Sequence, residues 1–169
     1  MSSPTKRRRR RIIKGLRWAK ALECQPPFIH EKKVRGSRKA GLIYERKVAN
    51  YLEALYPGRV RHGQWFEFED HRGKGWCQTD VLVMPVEDGP LILIEIKLSH
   101  RPAAERKLKA MYLPVVLAVW PDTPIVRIQV CKNLTKGFDD VLIDTLDDVF
   151  DPDFPLEYAT WNLRGIPTI

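Results

Sequence analysis

The sequence predicts an α/β domain with a mixed central sheet flanked by helices, and three observations carry that prediction. Gly41–Tyr56 repeats apolar residues at three- and four-residue spacing, as one face of a helix requires. Thr79–Val86 and Leu91–Leu98 are apolar runs separated by Asp88-Gly89, a pair that tolerates the positive φ of a hairpin turn. A second helical stretch, Ala103–Tyr112, is followed by two more apolar runs, Val115–Trp120 and Ile125–Val130, read as strands. With 44% hydrophobic residues in 169, the chain suffices for one domain with its own core.

In the first helix Leu42, Val48, Ala49, Leu52, Leu55 and Tyr56 form the stripe, and Pro57-Gly58 ends it. Glu45 falls on that stripe, where a carboxylate either pairs with Arg46, Lys47 or Arg59 or has a task. Gln64–Glu69 alternates as an edge-like strand. Asp70–Trp76 then reads as a glycine-broken loop, either a plain surface turn or a contact to a nucleic-acid backbone. Gly73 and Gly75 build no phosphate cradle, because no GK[ST] follows and no helix opens there. Pro102 suits the first turn of the second helix, where Arg101, Arg106, Lys107 and Lys109 give a basic surface next to the candidate site, with Arg106, Lys107 and Lys109 expected to bind nucleic acid.

Charge is unevenly distributed. Fourteen Lys/Arg face two acids through Ala40, and fifteen face nineteen beyond it, for a net +8. The run Lys6, Arg7, Arg8, Arg9, Arg10, Arg11 repels itself into a disordered arm that neutralises phosphates without reading bases. Such an arm also serves as a solubilising tail or, in a nucleated cell, a nuclear address. Ile12–Leu22 is expected to be a short basic helix carrying Trp18. The organisation is an arm and helix over 1–36, a core over 37–138 and an acidic extension packed on it over 139–169. Cys24, Cys77 and Cys131 show no zinc or disulfide spacing, which fits a reducing compartment such as the cytoplasm. No apolar run reaches membrane-spanning length, so no membrane partner is expected.

The chemistry concentrates at the hairpin. Alternation puts Leu91, Leu93, Glu95 and Lys97 on one face of a strand apolar on both sides. Buried charges need a partner, a metal or a task. Asp80, opening the neighbouring strand, supplies a second carboxylate beside Glu95.

In its order of helix, three strands, helix, strand and strand, the chain resembles the PD-(D/E)XK nuclease superfamily, the restriction-endonuclease-like fold. The resemblance covers roughly Gly41 to Val130. Glu95-Ile96-Lys97 matches the (D/E)XK tripeptide, Asp80 the preceding acid and Glu45 the helix carboxylate of many members. Thr79 stands where the motif has proline, and no glutamine follows on the next helix, unlike some resolvase-like members.

The resemblance implies an αβββαβ core and a hydrolase acting on DNA phosphodiesters in recombination, repair or phage DNA processing. It implies Mg²⁺, with Mn²⁺ as a substitute, held by Asp80, Glu95, the Ile96 carbonyl and Glu45, and no small-molecule cofactor. Lys97 would position or deprotonate the attacking water and stabilise the transition state. Cutting both strands of a duplex favours a homodimer. The competing expectation is a non-catalytic nucleic-acid-binding or virion-assembly protein on the same fold.

Overall fold

Helix α1, Ser37–Leu55, buries Tyr44, Val48, Ala49 and Leu52 in the computed structural model, which describes residues 12–31, 33–135 and 139–167. The helix forms where the periodicity predicts but begins four residues earlier, after Gly36 at φ 63°. Its apolar stripe differs at the ends. Leu42 and Leu55 are exposed, while Tyr44 is buried and donates its hydroxyl to the Leu163 carbonyl at 2.8 Å.

The central sheet has six strands in the order β2-β5-β6-β7-β9-β8. These are β2 (Val60–His62), β5 (Val81–Val83), β6 (Leu91–Ser99), β7 (Ile125–Asn133), β8 (Leu142–Ile143) and β9 (Tyr158–Asn162). The pairs β2/β5 and β5/β6 are antiparallel, and the remaining pairs are parallel. The fold is therefore mixed α/β around a mixed sheet.

Val81, Val83, Ile92, Ile94 and Ile96 pack toward α1 on one face. Leu82, Leu91 and Leu93 pack with residues of the second helical segment and of a smaller sheet on the other. Strand β6 is fully buried from Leu91 through Ile96, as its two-sided apolar pattern requires.

The hairpin joining β5 to β6 turns one residue earlier than Asp88-Gly89 predicts. Gly89 donates its N–H to the Val86 carbonyl at 3.0 Å, so Glu87 and Asp88 occupy the centre, with Glu87 at φ 52°.

The smaller sheet is an antiparallel β1-β3-β4 of Trp18–Leu22, Trp65–Asp70 and Gly73–Gln78. It corrects three expectations. Ile12–Leu22 is not a helix: Trp18–Leu22 is a strand whose partners, Glu69 back to Trp65, lie some fifty residues away. Asp70–Trp76 is a tight turn at His71-Arg72 followed by a strand, with Gly75 and Cys77 inward and Trp76 bonded to Glu67. The strand Trp65–Asp70 belongs to this sheet, so the strand after α1 in the central sheet is β2.

Val115–Trp120 is also not a strand. Pro102–Val119 is helical throughout, as α2 (Pro102–Lys107), a π-helical turn (Leu108–Tyr112) and α3 (Leu113–Val119). Pro114 has no N–H, so the Ala110 carbonyl four residues before it loses its helical donor. Ile13 fills that place, donating its N–H to the Ala110 oxygen at 3.0 Å.

The acidic C-terminal stretch contributes β8, a 3₁₀ turn at Leu146–Phe150 and β9, which pairs directly with β7. Among the described residues no helix is long and apolar enough to cross a membrane.

Candidate active site

Asp80 sits where the β5–β6 ladder stops. The last residue pair is Val81 with Ile94, and beyond it Thr79 turns away to donate its N–H to the Gln64 carbonyl at 3.0 Å. The Ile96 N–H is thereby left without a strand partner, and the Asp80 Oδ2 accepts it at 2.7 Å. A strand residue's N–H and C=O point the same way, so the Ile96 carbonyl opens on the Asp80 side.

Glu95 is fully buried. Its Oε1 accepts from the Lys97 Nζ at 2.5 Å and from the Lys107 Nζ at 3.0 Å. Among the described residues its Oε2 has no hydrogen-bond partner. Lys107, expected on the basic surface of the second helix, instead turns in to Glu95 and lies 4.8 Å from the centre of the Tyr112 ring. Arg106 and Lys109 are exposed, whereas Lys6–Arg11 lie outside the described residues.

Burial pushes the Asp80 carboxyl up to about 7, reinforced by the charges of Glu95 and Glu45 and opposed by Lys97 and the Ile96 N–H. Burial pulls the Lys97 ammonium down, but Glu95, Asp80 and Glu45 outweigh it, and its pKa ends above the ordinary value. Lys97 is therefore a cation at neutral pH. Burial, then Glu95 and Asp80, raise the Tyr112 phenol beyond its usual range and keep it neutral.

Glu45 reaches the site from α1. Its Oε1 lies 3.1 Å from the His62 Nε2, so its partner is neither Arg46, Lys47 nor Arg59. Glu45, Lys97, Arg38 and Arg101 line one cleft of about 450 Å³, the site's opening to solvent.

The structure thus gathers Asp80, Glu95, Lys97 and the Ile96 backbone, with Glu45 at the cleft wall. Of the basic residues expected beside the site, Lys107 contacts Glu95 and Arg101 lines the cleft, and the structure adds Tyr112, His62 and Arg38, which were not expected there. Only α1 offered a signal for one of them, because Arg38, Leu42 and Glu45 recur at helical spacing.

Among the described residues no group of three or more His, Cys, Asp or Glu is arranged to hold a metal ion. The oxygens of the site nevertheless fit a hard divalent cation. A buried carboxylate oxygen of Glu95 is unpartnered, Asp80 is held beside it by the backbone, and the Ile96 carbonyl faces the same side.

In the metal-free protein the raised Asp80 pKa fixes a pH dependence. The unfolded carboxyl loses its proton near 3.8 and the folded one near 7, so the folded chain holds the extra proton in between. Stability is full below about pH 4, falls as pH rises to about 7 and then levels, by a total on the order of 4 kcal/mol. Urea midpoints in chelator from pH 4 to 8 should show that fall and lose it in Asp80→Asn. A flat profile in the native chain would contradict it.

Beside the site lies a second polar row, registered by the parallel pairing of Glu95 with Gln129 and of Gln129 with Thr160. The Asp140 Oδ2 lies 2.7 Å from the His100 Nε2 and accepts from the Thr160 and Tyr158 hydroxyls at 2.9 and 3.2 Å. Gln129 accepts the Arg101 N–H at 2.7 Å and donates to the Arg101 carbonyl at 3.2 Å, fixing the entry to α2. Asp140→Ala strips a shared acceptor from three side chains and should cost about 2–3 kcal/mol in urea unfolding. A loss under about 0.5 kcal/mol would mean that the row is held by other contacts.

The chain matches no family model, no curated protein and no solved structure.

Proposed function

We propose that the chain is a metal-dependent endodeoxyribonuclease that hydrolyses DNA phosphodiesters with Asp80, Glu95 and Lys97. The observation that carries this reading is the convergence of two carboxylates and an ammonium at a break in the ladder, with one buried Glu95 oxygen left without a partner. The topology supports it. Taken in order, α1, β2, β5, β6, α2–α3 and β7 follow the αβββαβ arrangement of the PD-(D/E)XK nucleases. The hairpin β3–β4 is then an insertion between the first and second core strands.

Asp80, the Glu95 Oε2 and the Ile96 carbonyl would hold Mg²⁺ or Mn²⁺, and Glu45 would bind a second ion or orient a metal-bound water. Bound there, the ion supplies an acidified water and offsets phosphate charge. The protein's own part is electrostatic. Lys97 keeps its proton, so it orients and stabilises the developing negative charge in preference to acting as the base. Asp80 is fixed before substrate arrives by the Ile96 N–H, and Arg38 and Arg101 at the cleft attract the DNA backbone.

One observation favours the alternative of a non-catalytic nucleic-acid-binding or virion-assembly protein. Glu95 already has two ammonium groups on one oxygen, so its charge is compensated without a metal.

Incubation of supercoiled, linear and branched DNA with Mg²⁺ or Mn²⁺ separates the two. Metal-dependent cutting that disappears in Asp80→Ala and Lys97→Ala, with DNA binding retained, supports the nuclease. Binding without cutting on any substrate leaves the alternative.

A further inference from the structure

Helix α1 separates two depressions. The site cleft lies along Arg38, Leu42 and Glu45, and a larger groove of about 780 Å³ lies along the opposite flank, where Lys47, Asn50 and Tyr51 project. Leu98 at the end of β6 borders both. The groove's far wall carries Lys132 from the end of β7 and Arg164 after β9, and no acidic residue lines it among the described residues. Its floor is apolar, with Ile43 and Ile166, and the Tyr51 ring rests 6.4 Å from that of Trp161.

We propose that this groove binds a single strand of nucleic acid. Lys47, Lys132 and Arg164 meet its phosphates, while unstacked bases lie on Ile43, Tyr51 and Ile166. The combination of lining groups decides the form of the ligand. A duplex offers phosphates but keeps its bases stacked inside, leaving the apolar floor and the tyrosine unused. A single strand offers both a charged backbone and base faces. Because Leu98 borders both depressions, a strand leaving the site cleft continues into the groove. The inference thus deepens the nuclease reading toward substrates with an unpaired segment, yet the binding itself does not depend on cleavage.

The test is fluorescence anisotropy of the full chain in chelator, with a labelled oligothymidylate and a duplex as probes. Lys47→Glu with Arg164→Glu is compared with Lys14→Glu and Arg72→Glu. The latter pair changes net charge equally but sits by the small sheet, where the His71 N–H bonds to the Lys14 carbonyl. Thermal melting checks that each variant folds. The expected result is at least a tenfold loss of single-strand affinity in the groove variant alone. Its salt slope should flatten by about 1.4, the share of two phosphate contacts on a single strand. Equal losses in both variants, or equal loss on the duplex, overturn the groove assignment. Cleavage assays report separately on the nuclease reading, which can fail while groove binding survives, and the reverse.

Discussion

Asp80→Ala and Lys97→Ala should each lower Mg²⁺-dependent DNA cleavage by about a hundredfold or more, with DNA affinity changed by less than about threefold. The two substitutions fail for different reasons. Asp80→Ala removes a prospective metal ligand and leaves the Ile96 N–H without its acceptor. Raising Mn²⁺ should therefore recover part of the activity. Lys97→Ala removes a positive charge that stays protonated through neutral pH, so added metal should not restore it. Lys97→Arg keeps the charge with a different shape and should retain more activity than the alanine. Full activity in Lys97→Ala would remove Lys97 from the mechanism, and full activity in Asp80→Ala would remove the proposed metal position.

Glu95→Ala has the largest expected effect on stability, about 3–5 kcal/mol in urea unfolding, because it removes the carboxylate that two neighbouring ammonium groups contact directly. The cost comes from those cations. Glu95→Met combined with Lys107→Met should therefore recover much of it, since an apolar pair of similar volume needs no compensation. The double variant would remain inactive, which separates the folding role of Glu95 from its proposed chemistry. A loss below about 1 kcal/mol in Glu95→Ala would show that water or rearrangement relieves the lysines.

Much of the site was legible because it rests on alternation along one strand. The pattern of β6 puts Glu95 and Lys97 on one face of a buried strand, and the adjacent hairpin arm brings Asp80 alongside. Lys107 was not legible in the same way. On helical spacing it reads as one of several surface cations, and only the packing of α2 over the sheet turns it inward. The strand β1 was hidden for a related reason: its partner strand β3 is some fifty residues away, and nothing local in Trp18–Leu22 demands extension. Val115–Trp120 misled because a β-branched apolar run fits a buried helix as well as a buried strand. Its preceding Pro114 argued for a break, but the π turn and the Ile13 donor to Ala110 let the helix pass through. The alternation in β9, with Ala159 and Trp161 between Tyr158, Thr160 and Asn162, was readable but sat within an acidic, proline-containing tail.

The hydrogen bond from Ile96 to Asp80 also assigns a cost to a particular moment. Freezing a side-chain rotamer at a binding site commonly opposes association by about 0.5–1.5 kcal/mol. At Asp80 that loss of rotational freedom occurs while the chain folds, because the carboxylate completes a ladder that its own strand abandons. An incoming cation would find this ligand already immobilised, and the entropic barrier to its capture would be correspondingly low.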